Sequence, residues 1–472
     1  MDAKLARSYL ELGLNRLSAQ APAWQRRQDY VEGRQDMPFA PEGVNTEYTS
    51  LQKQSIGNFI EIAMNAPVQR MQADGFRTGR NDLADLTAWN EIWQPNKLDS
   101  RQKIVYKQMY IHGRGIMSVS PVKATPKTPK IRPENGKRVW IEPNPDDPFE
   151  GLFAVKQIAG LDGVLNAYVY TDTEWVQFTQ AKGDKDWSLT LGGRHNLGGL
   201  PFVTFDFNVD ADGVPHAPID KLMPQQDAIN TIRFNTLLAM QFSAYRQRVF
   251  TGFDPVARDS KGNIIARKNP DGTPQLDLNG QPLPVLNTPG RLGVDRALVF
   301  PGVDTKVFDL AESNLDNYIK VYDTFLNTFF STGQIPPQYS LTKMANLTGD
   351  GMAGAESTFQ SLISDLQMAA GESLESVMRL ANRARGQSDD DVASEVIWGS
   401  SEVQSFAQIV DGVGKLITSG MSRRDAWSML PGATPPKVAE WVENSDSDID
   451  RQDAGISALA AKIGGTSGDE LS

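Results

Sequence analysis

The chain has 472 residues, 40% of them hydrophobic, with nine tryptophans, which is enough for a sizeable core and for about two to four domains or one elongated architecture. It has no cysteine, which excludes disulfides and thiolate metal sites and fits a reducing cytoplasm. Its 47 basic and 58 acidic residues leave a net charge of −11, against ordinary nucleic-acid binding, where Lys and Arg neutralise phosphates.

Residues 1–20 carry an amphipathic helix with Leu5, Leu10, Leu12, Leu14 and Leu17. The aromatic and basic stretch WQRRQDYVEGRQDMPF then leads to a Pro/Gly-rich turn. From Thr49 to Met71 the apolar residues Ile56, Phe59, Ile60, Ala63, Met64 and Val68 recur every three or four positions, one buried helix face. Two more helices are predicted over 82–115, divided at Pro95, with Trp89 and Trp93 sharing a core-facing side. After Gly115 the period becomes alternating. IMSVS, LFAVKQI, NAYVYT, EWVQFTQ, WSLTL and FVTFDF read as a meander of about six strands over 116–207. Lys123–Lys137 reads as a solvated Pro/Lys-rich loop, with contact to a nucleic acid or partner as the lesser alternative.

A helix of about thirty residues follows over 217–249, about 45 Å long at 1.5 Å per residue. Ile219, Leu222, Ile229, Ile232, Leu237, Met240 and Phe242 stud most of its circumference, so it needs neighbours on several sides. Residues 251–307 are rich in Pro and Gly with short apolar runs, a small β-rich insert. A second helix, Leu310–Phe330, is expected to bury Leu315, Ile319, Tyr322, Phe325, Leu326 and Phe329. Beyond a non-helical segment at 333–351, a third long helix runs from Ala353 to Arg385 with the stripe Phe359, Leu362, Ile363, Leu366, Leu374, Val377 and Met378. A helix at 401–419, a short one capped at Ser422 and another in PPKVAEWVEN complete the chain, and the Ser/Asp/Gly-rich end is expected to lack fixed structure. No internal repeat is found.

The stretch NLTGDGMAGAE (346–356) is glycine-rich, yet it is no phosphate cradle. Gly349 is followed by Asp350 and Gly354 by Ala355 and Glu356, where a P-loop requires Gly-Lys-Ser/Thr, and the nearest cation is Lys343. The segment around it exceeds the ~2–8 residues of an interhelix turn, which marks a functional or disordered loop. His112, His195 and His216 stand far apart with no partner at metal spacing, and no nucleophile elbow or dinucleotide fingerprint occurs. No catalytic residue, metal site or cofactor is therefore expected. No basic leader and no apolar run near the ~20 residues of a membrane span is present, so a soluble, non-secreted chain is expected.

Four motifs in order, AWNEIWQPNKLD (88–99), YIHGRGIMSV (110–119), PIDKLMPQQDAIN (218–230) and GQIPPQYSL with NLTGDGMAGAES (333–357), resemble the portal proteins of tailed bacteriophages, of the siphovirus type found in actinobacterial phages. The resemblance covers about 25–440 and implies an α+β portal fold. It implies a wing at 1–216, a first stem helix at 217–249, a clip at 250–307 and a second stem helix at 308–333. A channel loop follows at 334–352, then a long helix with a return to the wing at 353–400, and a helical crown with a C-terminal tail at 401–472. The implied protein is not an enzyme. It is a ring of about twelve copies at one capsid vertex, a conduit for double-stranded DNA in packaging and ejection. The implied partners are the terminase large subunit, a head–tail adaptor, and the major capsid and scaffolding proteins, with no membrane. The implied location is the virion, and the host cytoplasm during assembly. Another head–tail connector or minor capsid protein is the alternative.

On this resemblance Lys343, Asn346, Thr348, Gly349, Asp350 and Gly351 form the loop that meets DNA, its glycines giving backbone freedom and its short polar tips touching phosphates without holding them. Twelve copies of a −11 chain carry about −132, which favours passage over adhesion. Ile229, Ile232, Leu237, Leu326 and Phe329 are expected at contacts between stems of neighbouring subunits.

Overall fold

The computed structural model describes residues 1–39, 46–77, 86–244, 248–251, 256–277, 280–286, 306–309, 315–336, 339, 349–387, 394–399, 406–430, 433 and 437–446. The fold is mixed α+β, in two compact units. The first comprises Met1–Pro38, Ile56–Asn230 and Asp323–Ser472, the second Phe39–Ser55 and Thr231–Tyr322.

Helix α1 (Ala3–Val31) continues through Pro22 and into the first half of the aromatic–basic stretch expected to lie beyond it. Pro22 removes one backbone donor, and burial of Leu10, Leu17, Trp24 and Tyr30 along the helix offsets that loss. The single helix expected over Thr49–Met71 is two, α2 (Thr46–Ser55) and α3 (Phe59–Arg70). Asn58 ends the break, its side chain accepting from the backbone N–H of Glu61 as the cap of α3. Strand β1 (Ala73–Arg77), a π-helical turn at Ala88–Trp93 and α4 (Leu98–His112) follow.

The expected six-strand meander is eight strands in two antiparallel sheets. They are β2 (Arg114–Ser120), β3 (Lys130–Pro133), β4 (Val139–Pro143), β5 (Gly151–Ala159), β6 (Leu165–Tyr170), β7 (Glu174–Gln180), β8 (Ser188–Arg194) and β9 (Phe202–Asp206). The smaller sheet has the order β3-β2-β9 and the larger β4-β5-β6-β7-β8. Part of the expected solvated loop is thus strand. Ile131 pairs with Val119 and is fully buried, although a proline at each end of the segment disguises it. Helix α1 lays Ala6 and Leu10 against Phe153, Val155, Ala167, Val169 and Phe178 of the larger sheet, and Tyr9 stacks on Phe153 at 4.1 Å.

Beyond the sheets come α5 (Met223–Ala244), β10 (Arg248–Thr251), β11 (Lys306–Asp309), α6 (Leu315–Thr332), α7 (Gly349–Ala384), β12 (Glu395–Trp398), α8 (Phe406–Thr418) and α9 (Arg423–Ser428). All seven residues of the α7 stripe are buried. Strand β12 returns to pair with β1, from Ala73–Trp398 to Arg77–Glu395. Neither short strand is legible in the sequence.

Within the second unit, β10 and β11 pair antiparallel. Between them, 256–286 makes three turns of one design: Asp259–Asn263, Asn269–Thr273 and Asp277–Gln281. In each, the first residue's N–H donates to the fifth residue's carbonyl (2.9, 2.8 and 2.8 Å). The N–H of the fourth residue, always glycine, donates back to the first carbonyl (2.9, 2.9 and 3.1 Å). Those glycines have φ of +85°, +87° and +76°, the left-handed region that side chains disfavour. The first unit holds two more, Gly160–Val164 with Gly163 at +80° and Asp210–Val214 with Gly213 at +75°. A repeated turn therefore exists where the sequence showed no repeat, because the copies share little beyond the glycine at their fourth position.

Two closed rings of hydrogen bonds tie the turns together. The N–H groups of Ala257, Ile265 and Val285 donate to the carbonyls of Val285, Ala257 and Ile265, each at 2.8 Å. Those of Arg267, Gln275 and Leu283 donate to Leu283, Arg267 and Gln275 at 2.8, 2.7 and 2.8 Å. Among the described residues of 256–286 only Ala257 is buried, so backbone pairing and not an apolar core sets this shape.

Candidate functional site

The first turns of α5 are fastened by side chains of the PIDKLMPQQDAIN motif. Asp220 receives both Nε and Nη2 of Arg27, at 2.8 and 2.7 Å. Gln225 donates to the Thr332 hydroxyl at 3.0 Å, at the end of α6. Gln226 accepts from the Phe59 N–H and Asn230 from the Gly57 N–H, both at 2.9 Å, and Gln226 also donates to Asn230 at 2.9 Å. Gln226 and Asn230 are almost wholly buried, so each bond supplies a partner that water cannot. The Tyr30 hydroxyl donates to Asp227 at 2.6 Å. Burial and then that carboxylate push the Tyr30 pKa up to about 12, and burial raises that of Asp227 as well. The motif thus anchors the root of one long helix to α1, α3 and α6.

The second constellation lies at the foot of the glycine-containing segment. After α6, Gln334 adopts φ +57° and Ile335 is buried, its N–H donating to Phe330 at 2.9 Å. Tyr339 precedes residues 340–348 and Glu356 follows them, and both reach Arg70 at the end of α3. Arg70 donates from Nη1 and Nη2 to the two Glu356 oxygens at 2.9 and 3.3 Å, a bidentate pair. Its guanidinium lies 4.7 Å from the centre of the Phe359 ring, which Tyr339 meets edge-on at 5.9 Å. Burial opposes the Arg70 cation, but the hydrogen bonds to Glu356 and Tyr339 outweigh it and raise its pKa. Both feet of the segment therefore stand on one guanidinium.

Of the residues expected in the loop, Lys343, Asn346 and Thr348 lie outside the described residues. Gly349, Asp350 and Gly351 belong to the first turn of α7, which corrects the expected loop end at 352 to 348.

The stem residues divide. Ile229, Leu326 and Phe329 are buried inside the protomer, Phe329 packing edge-on against Phe59 at 6.2 Å and Phe330 at 5.6 Å. They have no surface left for a neighbour, which corrects their assignment to subunit contacts. Ile232 and Leu237 are half-buried. Leu237 lines, with Thr236, Tyr318, Ile319 and Tyr322, a cavity of about 290 Å³ in the second unit. Ile319 and Phe325, expected to be buried, are exposed on α6, as are Val321 and, on α5, Met240.

The remaining motifs also pin junctions. Trp93 and Gln94 donate to Asp99 at 2.8 and 2.9 Å, and Trp89 stacks on Trp93 at 5.7 Å. His112 is buried against Trp24 with ring centres 3.7 Å apart. Burial, then the charges of Arg27 and Lys137, lower its pKa to about 3. His195 bonds the Thr171 carbonyl and His216 the Asp210 carboxylate, at 2.9 and 3.0 Å. Among the described residues no cluster of three potential metal ligands occurs, and no helix is long and apolar enough to cross a membrane. The PIDKLMPQQDAIN motif contains Gln226 and Asn230 without showing that they are buried, and Arg70 carries no signal in the sequence beyond its place at a helix end.

The portal protein of Mycobacterium phage D29 is 23% identical over 378 residues, covering 77% of this chain and 72% of its own. That of Mycobacterium phage L5 is 22% identical over 404 residues, covering 82% and 77%. Among solved structures, the neck of a native GTA particle computed with C12 symmetry aligns with 84% of this chain and 96% of its own, at 12% identity and a TM-score of 0.44. The family pattern described as phage portal protein, SPP1 Gp6-like, matches residues 14–453. The chain belongs to that family of phage portal proteins.

Proposed function

We propose that this portal protein assembles as a ring of about twelve copies at one capsid vertex and conducts double-stranded DNA during packaging and ejection. The insert between α5 and α6, residues 250–307, would be the clip that meets the terminase large subunit and later the head–tail adaptor. Major capsid and scaffolding proteins would surround the wing, in the host cytoplasm during assembly and in the virion afterwards. The segment at 340–348 would face the bore, with Lys343, Asn346 and Thr348 as the candidates to touch passing DNA. The chain's role would be structural, with ATP hydrolysis left to the terminase.

The observation that carries this reading is the Arg70 foot. A segment that touches a moving polymer needs fixed ends so that force on it is delivered to the scaffold, and Arg70 fixes Tyr339 and Glu356 together. Exposed Ile319, Val321 and Phe325 on α6 supply apolar surface that a neighbouring copy could cover.

Native mass measurement and electron microscopy of the purified protein test the reading. Twelve copies of a 51.9 kDa chain give an annular particle of about 620 kDa. A protein that stays a monomer at assembly concentrations would sink it.

A further inference from the structure

A cleft of about 490 Å³ opens in the first unit where α7 passes the ends of β2 and β9. Its lining includes Phe149 and Met368, which are 68% and 64% exposed, large apolar side chains left to water. The unpaired charges of the lining are acidic. Glu150, Asp365 and Glu372 face it, and among the described residues no cation lies within ion-pair reach of them. The one cation in the lining, Arg114, is held by Asp206 through bonds of 2.6 and 2.8 Å. Asp146 and Asp147, in the segment that supplies Pro148 and Phe149, and Asp212, beside Gly213, add acidic charge next to lining residues in the chain. These walls are fixed against each other, since a Cβ on Gly213 would come within 2.7 Å of the Pro148 carbonyl. Such a cleft suits an apolar backbone studded with positive charge.

The same chain carries a segment of that chemistry. Residues 121–130, PVKATPKTPK, expose Lys123, Lys127 and Lys130, and no described carboxylate lies within ion-pair reach of them. Three prolines and two successive turns, Thr125 N–H to Val122 at 3.2 Å and Thr128 N–H to Thr125 at 2.9 Å, set its shape. Its foot is pinned by buried Asn96, which donates to the Pro129 carbonyl at 2.8 Å and accepts from the Ile131 N–H at 2.9 Å. A protrusion already ordered loses little freedom on docking.

The two features cannot serve each other within one copy. Strand β2 begins in the cleft at Arg114 and ends at Ser120, paired with Lys130 at the foot of the protrusion. Its seven residues put about 20 Å between the two at ~3.3 Å per residue. Complementary patches at opposite ends of one sheet are what a head-to-tail contact requires. We infer that the Lys-rich protrusion of one copy docks in the acidic cleft of the next. This rests on the ring reading and names a contact within it.

The absence of cysteine makes the test clean. Two variants, Met368→Cys and Pro126→Cys, are mixed, assembled and mildly oxidised. The mixture is expected to give a disulfide-linked dimer on a non-reducing gel, and neither variant alone should. Annular particles of full mass without that dimer overturn the docking and leave the ring intact, whereas failure of the parent protein to form rings overturns both. A second pair of variants guards against misfolding. Lys127→Glu with Lys130→Glu should lower the assembled fraction about tenfold or more, and adding Asp365→Lys with Glu372→Lys should restore it. Unchanged assembly of the first double variant at low salt would also overturn the contact.

Discussion

Arg70 holds its place by a bidentate ion pair, a ring face and a tyrosine hydroxyl, and these respond differently to shortening the side chain. Arg70→Ala leaves Glu356 without its fork and is expected to cost about 1–3 kcal/mol of stability. In phage complementation, ring mass should persist while DNA retention falls, and Arg70→Lys should lie between because an ammonium cannot reproduce the fork. Normal retention by the alanine variant would refute the role given to this foot. His112 makes a second residue-scale prediction. Its folded pKa of about 3 lies below its ordinary 6.5, so between those values the unfolded chain binds the extra proton and stability falls with acidification. The slope is at most about 1.4 kcal/mol per pH unit. His112→Phe keeps a ring against Trp24 and should flatten thermal stability over that window. None of this was legible beforehand. The sequence shows a lone histidine and a helix-end arginine, and their meaning comes from Trp24 and Glu356, 88 and 286 positions away.

At the scale of elements, legibility followed amphipathic contrast. The α7 stripe was correct in all seven residues because a polar face opposes it. Helix α6 misled, since it carries apolar residues on both the inner face, Leu326 and Phe329, and the outer, Ile319 and Phe325. Period alone does not say which face the protomer buries and which it leaves for another copy. The two faces separate by mutation. Ile319→Asp with Phe325→Asp should abolish rings while the monomer's melting temperature stays within a few degrees, about ±0.5 kcal/mol for exposed sites. Phe329→Asp should instead unfold the protomer, with a cost above about 3 kcal/mol from a lost core ring and a buried charge. Rings formed by the double variant would remove α6 from the subunit contact. The short strands β1, β3 and β12 escaped notice because four or five residues carry too few alternations, and β1 and β12 lie about 320 positions apart.

For the whole molecule, the succession of three long helices was readable from the sequence, and so was the family to which the chain belongs. The division of the sheets was not, because alternation marks strands without naming their partners. Net charge belongs to this scale too. A protein using six to ten phosphate contacts loses about 10³–10⁵ in affinity between 50 and 200 mM salt. Assembled rings of this −11 chain should bind duplex DNA weakly and change less than about tenfold over the same range, measured by fluorescence anisotropy. A steep salt slope would mean that the bore grips its cargo.

The three-turn insert leaves one consequence for how such proteins change over time. Its outline is drawn by carbonyls and amides that every amino acid carries, with three glycines as its fixed corners. Most of its outward side chains can therefore be exchanged without collapsing the frame, Ile264, Leu276 and Leu286 among them. A surface built in this manner can follow the drift of whatever presses against it, keeping the shape of the socket while its lettering is rewritten.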